Sequence, residues 1–231
     1  MKIEGFQKLT LLDFPGKTAA TVFTGGCNFR CPFCHNALLV LPEEQPAPFT
    51  EEEVFSYLHR RRGVLDGVVV SGGEPLLQSD IGIFLGKLKS LGFLVKLDTN
   101  GTNPALLKKL IDGQLVDYVA MDIKNAPSAY AKTVGVPGVD LRAITESRDL
   151  LAGGKVDFEF RTTLVRGLHT EESVREMAEF IAGGERYYLQ QFKNSGNLIA
   201  PEGLSAFDES EMQKFAGICR AFVPATEIRG L

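Results

Sequence analysis

Short apolar segments rich in β-branched residues alternate with longer amphipathic segments along most of this chain. A continuous run such as Val68-Val-Val-Ser71 is typical of a strand buried on both faces of a parallel sheet. By contrast, Thr50 followed three residues later by Glu53 is the capping box that begins a helix. The predicted strands cover residues 18–24, 68–71, 94–98, 118–122, 156–164 and 187–192, and the predicted helices cover residues 50–62, 79–91, 104–111, 127–132, 140–152, 170–182 and 208–222.

This alternation predicts right-handed βαβ units and therefore an α/β fold built on a parallel sheet. The 231 residues, 44% of them hydrophobic, suffice for one substantial core. We therefore expect a single domain over residues 1–231 that ends with a helix at about residues 208–222. Because a closed eight-strand barrel usually has about 250 residues, a shorter chain with about six strands predicts an open, partial barrel.

Two segments lie outside this alternation. Residues 5–17 carry the turn signal Asp13-Phe-Pro-Gly16 and predict an edge segment that leads into the first strand. Residues 41–49 are rich in proline and predict a linker between the first strand region and the first long helix.

The charge pattern and the apolar runs limit the partners. The formal net charge is −4 without a basic stripe, which argues against a surface that coats nucleic acid, and the basic run at residues 59–62 closes a predicted helix. No apolar run approaches the roughly 20 residues that cross a bilayer, and the N-terminus lacks a secretory pattern. We expect a cytoplasmic protein with no membrane or nucleic-acid partner, whose clustered cysteines bind metal rather than pair.

Three of the four cysteines lie close together in a loop at residues 25–40, directly after the first predicted strand. Their spacing, Cys27-x3-Cys31-x2-Cys34, predicts a metal or metal-cluster loop. The fourth, Cys219, lies alone in a helical pattern, where we expect a small buried apolar residue.

Four kinds of site fit part of this loop. Cys31-Pro-Phe-Cys34-His35 has the pattern of covalent haem attachment and also contains a thioredoxin-type pair, but both leave Cys27 without a role. The three cysteines and His35 are a common tetrahedral zinc set, although the adjacency of Cys34 and His35 makes joint ligation awkward. Three thiolates also suit a 4Fe-4S cluster with one iron left without a protein ligand, where a substrate can bind.

Polar residues follow four of the predicted strands. In parallel α/β folds the ligand binds at the carboxyl ends of the strands, so we expect these residues to converge with the cysteine loop. Consecutive glycines would also let a ligand approach the backbone closely. The segments are Ser71-Gly-Gly-Glu-Pro75, Asp98-Thr-Asn-Gly101, Asp122-Ile-Lys124, and Arg161 beside two threonines.

Each of these segments also has a plainer interpretation. The glycines could form only a turn, and the segment that begins at Asp98 could be an Asx turn that ends a strand. Lys124 could be a surface residue, and Arg161 could pair with Glu159 or Asp157. It is their recurrence at strand ends that favours a common site.

The cysteine signature with its aromatic residue, Cys27, Cys31, Phe33 and Cys34, resembles that of the radical S-adenosylmethionine superfamily, and so does the GGEP motif at residues 72–75. Further motifs, at residues 11–17, 34–36, 97–101 and 122–124, resemble the glycyl-radical-enzyme activases. Within that group the sequence is most similar to the anaerobic ribonucleoside-triphosphate reductase activating proteins, followed by the pyruvate formate-lyase activating enzymes.

The resemblance implies a partial (β/α)6 TIM-type barrel, a 4Fe-4S cluster on Cys27, Cys31 and Cys34, and S-adenosylmethionine bound to the open iron. The reduced cluster would cleave S-adenosylmethionine to methionine and a 5′-deoxyadenosyl radical, which removes a glycine hydrogen from a partner glycyl radical enzyme, foremost anaerobic ribonucleotide reductase. The resemblance also implies flavodoxin or ferredoxin as electron donor. Radical enzymes for other peptides or small molecules, and a non-catalytic zinc-binding domain, are the alternatives.

The same resemblance implies the contacts of S-adenosylmethionine. Residues at the cysteine loop would border the adenine, and the glycine motif would fix the methionyl amino group. Basic residues at strand ends would face its carboxylate, and the segment at residues 98–100 would bind the ribose or a monovalent cation. The residues concerned are, in that order, Phe33, His35 and Asn36; Ser71, Gly72, Gly73 and Glu74; Lys124 and Arg161; and Asp98, Thr99 and Asn100.

One position departs from the pattern. A relative has a histidine near the end of the sixth strand, where this chain has Gln190-Gln-Phe-Lys193. We expect Lys193 or one of the glutamines to take its place.

Overall fold

The computed structural model describes residues 1–40, 49–194 and 196–231. Eight strands form one sheet in the order of the sequence, β1 to β8. Six of them, β2 to β7, correspond to the six predicted strands. The strands are β1 Ile3–Thr10, β2 Ala19–Thr24, β3 Gly67–Gly72, β4 Leu94–Thr99, β5 Tyr118–Asp122, β6 Asp157–Leu164, β7 Tyr187–Gln191 and β8 Thr226–Arg229.

Helices follow the inner strands, and the one at residue 51 begins at the predicted capping box. Thr50 and Asp208 each form a capping box, with Glu53 and Glu211 respectively. Only the short helix α1, inside the cysteine loop, was not predicted. The helices are α1 Ala37–Val40, α2 Glu51–His59, α3 Ile81–Ser90, α4 Pro104–Asp112, α5 Tyr130–Val134, α6 Leu141–Ala152, α7 Glu171–Phe180 and α8 Glu209–Arg220, with 3-10 turns at Pro75–Leu77 and Pro127–Ala129.

The sheet is parallel from β2 to β8, and only β1 pairs antiparallel with its neighbour. In the described part of the chain β1 and β8 are the two ends of the strand order, so the sheet is open. This architecture confirms the predicted partial barrel and the edge segment before the first strand. Of the predicted linker at residues 41–49, all but Phe49 lies outside the described residues.

The two faces of the sheet differ in character because successive side chains of a strand point to opposite faces. Val68 and Val70 belong to the large apolar core, whereas Val69 between them packs on the other face with Phe14 and Tyr118. The inner face is therefore apolar only in a small cluster near the start of the strands. Towards the carboxyl ends of β4, β5 and β6 it carries charged residues.

Strand β8 was not predicted, and it is held by an ion pair between the half-buried Arg229 and a buried glutamate. Arg229 donates to both carboxylate oxygens of Glu159, at 3.0 and 3.1 Å, and Glu159 is fully buried on β6. The Tyr118 hydroxyl donates to the same carboxylate at 2.9 Å. The guanidinium of Arg229 also lies 3.2 Å from the centre of the Tyr188 ring. These contacts attach the last strand to the inner face of the sheet.

Replacing Arg229 by Met should lower the free energy of unfolding by about 3 kcal/mol, because it leaves the Glu159 carboxylate buried without its cation. Chemical denaturation measures the change. The control is Lys155→Met, which removes an exposed ion pair with Asp112 at 3.0 Å and should alter stability by no more than about 0.5 kcal/mol. Equal effects of the two substitutions would contradict the anchoring role of Arg229.

Candidate active site

A cavity of about 270 Å³ opens at the carboxyl ends of the strands, where the predicted site residues meet the cysteine loop. Every predicted site residue except Lys193 lines it. The lining residues are Cys27, Phe29, Cys31, Phe33, Cys34, His35, Asn36, Val40, Ser71, Gly72, Gly73, Glu74, Pro75, Asp98, Thr99, Asn100, Asp122, Lys124, Arg161, Thr163 and Gln190.

All three loop cysteines are free thiols on this cavity, with Cys31 buried and the other two half-buried. Burial raises the pKa of each thiol, that of Cys31 to about 12, while the charge of Lys124 acts in the opposite direction on all three. Backbone contacts fix the loop: the Cys34 amide donates to the Cys31 carbonyl at 3.0 Å, and the Phe29 amide donates to the Cys27 sulfur at 3.3 Å. These thiols are the candidate ligands of a metal cluster.

The glycine motif packs tightly on the start of the cysteine loop. Gly72 has a positive φ of 124°, which favours glycine. A β-carbon on Gly73 would lie 1.9 Å from the Gly26 carbonyl oxygen. The Gly73 amide donates to the Thr24 carbonyl at 2.9 Å. The glycines are thus required by backbone packing, and the Gly73 amide is used in a hydrogen bond inside the protein.

The Glu74 carboxylate, which the resemblance implies as a contact of the amino group, accepts three hydrogen bonds within the protein. It accepts from the Thr99 hydroxyl at 2.8 Å and from the amides of Asn100 and Leu76 at 2.7 and 3.0 Å. Burial raises the pKa of Glu74 to about 7, against the effect of these three donors. The carboxylate therefore joins the end of β3 to the end of β4.

Five alternating charges form a continuous row of ion pairs, and all of them except Lys96 line the cavity. Lys96 pairs with Asp98, whose other oxygen lies 3.3 Å from Nη1 of Arg161. Nε of Arg161 lies 2.9 Å from Asp122, which also pairs with Lys124 at 3.0 Å. We call Lys96, Asp98, Arg161, Asp122 and Lys124 the charge chain. Its three cations and two carboxylates leave one net positive charge beside the cavity.

The charge chain corrects two of the plainer interpretations. Arg161 pairs with Asp98 and Asp122, not with Glu159 or Asp157, and Lys124 faces the cavity rather than the surface. Burial alone would raise the pKa values of both aspartates. At Asp98 the charges of Arg161 and Lys96 outweigh burial, and at Asp122 those of Arg161 and Lys124 do so. The pKa of Asp98 is lowered and that of Asp122 falls to about 2, so both are charged at neutral pH.

Asn100 connects β4 to the cysteine loop. The side-chain Nδ2 of Asn100 donates to Oδ1 of Asn28 at 2.8 Å, and its side-chain Oδ1 accepts from the Thr102 hydroxyl at 2.7 Å. Asn28 in turn donates to the Thr102 hydroxyl at 2.9 Å. Asn100 thus positions the loop that carries the cysteines.

Lys193 and Gln190, near the end of β7, differ in their position relative to the cavity. Lys193 is exposed and lies away from the cavity lining, whereas Gln190 lines it and accepts from the Thr163 hydroxyl at 3.3 Å. Of the three residues that could take the place of the relative's histidine, Gln190, Gln191 and Lys193, Gln190 alone lines the cavity. Cys219 is buried in α8 and belongs to the apolar core, as predicted.

Two members of the charge chain were given no role in the sequence analysis. Asp122 was noted only as part of a motif, although it pairs with both Arg161 and Lys124. Lys96 was not noted at all. The signal for it was available, since a residue two positions before Asp98 on a strand points to the same face.

Comparison with known proteins identifies the family. Residues 21–181 match the radical SAM superfamily. A putative glycyl-radical enzyme activating enzyme of Methanocaldococcus jannaschii is 33% identical over 232 residues, covering 98% of this chain and 95% of that protein. A 7-carboxy-7-deazaguanine synthase of Hyperthermus butylicus is 35% identical over 173 residues, covering 73% of this chain and 65% of that protein.

A solved structure supports the fold. A domain of the pyruvate-formate lyase-activating enzyme from Bacteroides vulgatus has a TM-score of 0.59 at 19% identity, covering 71% of this chain and 99% of that chain. This chain belongs to the radical SAM superfamily, as its motifs predicted. The superfamily implies a 4Fe-4S cluster and S-adenosylmethionine as cofactors, and three free thiols on one polar cavity fit that requirement.

Two further observations bear on the remaining expectations. Among the described residues, no group of three or more His, Cys, Asp or Glu side chains is arranged around a single point as ligands of one metal ion. No helix in the described ranges is both long enough and apolar enough to cross a membrane.

Replacing Gly73 by Ala should destabilise the fold by about 3 kcal/mol, because the added methyl group overlaps the Gly26 carbonyl and the backbone must move. The thermal midpoint measured by calorimetry reports the loss. Gly138→Ala is the matched control, since a β-carbon there meets nothing within 4 Å. If both variants melted at the same temperature, the packing role of Gly73 would be wrong.

Proposed function

We propose that this protein activates a glycyl radical enzyme, and that the partner is an anaerobic ribonucleotide reductase. The observation that carries the proposal is the convergence of three free thiols and the charge chain on one cavity. The alignment with an activating enzyme over 98% of the chain supports the choice of reaction. The link to ribonucleotide reductase rests on the motif resemblance alone.

In this proposal Cys27, Cys31 and Cys34 hold the 4Fe-4S cluster and leave one iron for S-adenosylmethionine. When bound and reduced, the cluster supplies the single electron that cleaves S-adenosylmethionine, so that a hydrogen atom can be removed from a glycine of the partner. The protein must position the cofactor and keep water away. The burial of Cys31 and of Glu74 on the cavity lining contributes to this exclusion.

The charge chain is suited to the methionyl carboxylate. Lys124 and Arg161 are both cavity residues, and the net positive charge of the chain attracts an anionic group even though each cation also has an acidic partner. The amino group would meet backbone carbonyls of the glycine motif rather than the occupied Glu74 carboxylate. Phe33, His35 and Asn36 would border the adenine.

The electron would come from a small low-potential carrier, flavodoxin or ferredoxin, as in the activases that this sequence resembles. The second candidate function is a radical reaction on a small molecule. It is favoured by the 35% identity to a 7-carboxy-7-deazaguanine synthase, which covers about two thirds of that protein.

Cys27→Ala, Cys31→Ala and Cys34→Ala should each abolish reductive cleavage of S-adenosylmethionine, because each removes a cluster ligand. Anaerobic reconstitution with iron and sulfide, followed by reduction and chromatography of 5′-deoxyadenosine, measures this. Cys219→Ala removes a thiol of the apolar core and should retain cleavage. If the wild-type protein bound zinc stoichiometrically and released no 5′-deoxyadenosine, the proposed enzyme would be wrong.

The partner is tested by electron paramagnetic resonance. Mixing the reduced enzyme, S-adenosylmethionine and anaerobic ribonucleotide reductase should produce a glycyl radical doublet, which Cys31→Ala should not produce. A reductase whose radical glycine is replaced by alanine is the second control. Cleavage of S-adenosylmethionine without a doublet in any glycyl radical enzyme would contradict the activase and support the small-molecule reaction.

A further inference from the structure

Lys96 is a buried cation that neither the sequence motifs nor the family comparison assigns. It lies on β4, and only 1% of it is exposed. Lysines are almost never fully buried without a partner. The Lys96 ammonium pairs with Oδ1 of Asp98, a residue that lines the cavity.

The other members of the charge chain balance each other without Lys96. Arg161 contacts Oδ2 of Asp98 at 3.3 Å and Asp122 at 2.9 Å, and Lys124 contacts Asp122 at 3.0 Å. Two cations thus already match two carboxylates. The Lys96 ammonium is the additional charge, and it fills the one oxygen of Asp98 that Arg161 does not contact.

That oxygen is where a soluble cation would bind. Carboxylate oxygens are the ligands that hard cations prefer, and Asp98 belongs to the segment for which the family resemblance implies either ribose or a monovalent cation. In the structure Oδ1 of Asp98 already holds an ammonium group. The residues present therefore do not fit a free cation at this oxygen.

We infer that the Lys96 ammonium is a built-in monovalent cation of the cofactor site, in the place that Na⁺ or K⁺ would otherwise fill beside Asp98. The inference rests on the S-adenosylmethionine site proposed above. A cation covalently attached to β4 is present at every salt concentration. Binding of S-adenosylmethionine should therefore not depend on which monovalent cation the solution contains.

The test measures S-adenosylmethionine affinity of the reconstituted holoenzyme by anaerobic equilibrium dialysis in NaCl, KCl, NH₄Cl and choline chloride at one ionic strength. For the wild type the four dissociation constants should agree within about twofold. For Lys96→Met the affinity in choline chloride should be about tenfold weaker. One or more of the three small cations should restore it to within about threefold of the wild type, because choline is too large to fill the vacated position.

Two variants serve as controls. Lys89→Met removes another ion-paired lysine, which contacts Asp117 at 2.6 Å outside the cavity, and it should bind S-adenosylmethionine like the wild type in all four salts. The double variant Lys96→Met with Asp98→Asn lacks the carboxylate that would ligate a cation. Its affinity should not recover in any salt.

Two results would overturn the inference: a wild type that itself requires a small cation, or a folded Lys96→Met variant with the same affinity in every salt. Lys96→Gln replaces the methionine variant if the latter does not fold, with the same expectations. If the wild type bound no S-adenosylmethionine in any salt, the proposed function would fail. The role of Lys96 would then be decided by whether small cations, unlike choline, raise the thermal midpoint of the variant.

Discussion

The charge chain is the constraint on which the inner half of the barrel depends. Each buried charge is tolerated only beside its opposite, since removing one partner of a buried pair typically costs about 3–5 kcal/mol. Four of the members come from three adjacent strands and Lys124 follows the end of β5, and the register pairs Asp122 with Arg161 across β5 and β6. A slip of one residue would turn every charged side chain of a strand to the apolar face. The ion pairs and the outer apolar core therefore specify the same register, and the cavity is formed where that register places its charges.

Polar side chains perform a second task, which is to hold an irregular loop at the end of a regular sheet. The cysteine loop has little secondary structure of its own, so its position relies on Asn100 and on the glycine motif at the end of β3. Glu74 in turn joins the ends of β3 and β4 through buried hydrogen bonds. Ligand geometry needs such support, because a site that is loose by about 1 Å loses its chemistry. The GGEP motif is thus a structural connection between the sheet and the cysteine loop.

The sequence predicts the six inner strands and most helices because their apolar runs and caps are local signals. Strand β8 escaped because its residues Thr226–Arg229 form no apolar run, and its stability comes from a distant partner, Glu159. Because β8 was not predicted, the sequence also suggested the wrong partner for Arg161. Glu159 looked available two positions away on the strand, but β8 supplies Arg229 to it, and Arg161 is left to the aspartates of β4 and β5. Lys96 escaped for a related reason, since a lone lysine in a strand pattern is usually exposed.

Lys124 links the charge chain to the cysteines and shows how the two halves of the site depend on each other. Burial favours protonated thiols, and metal ligation requires thiolates, so cluster binding must be coupled to loss of protons. Lys124 lowers the pKa of all three thiols against this burial. Lys124 forms an ion pair with Asp122, and Asp122 forms a second ion pair with Arg161. The charge that Lys124 presents to the cysteines thus depends on Asp122 of β5 and Arg161 of β6, which lie far from the cysteine loop in the sequence.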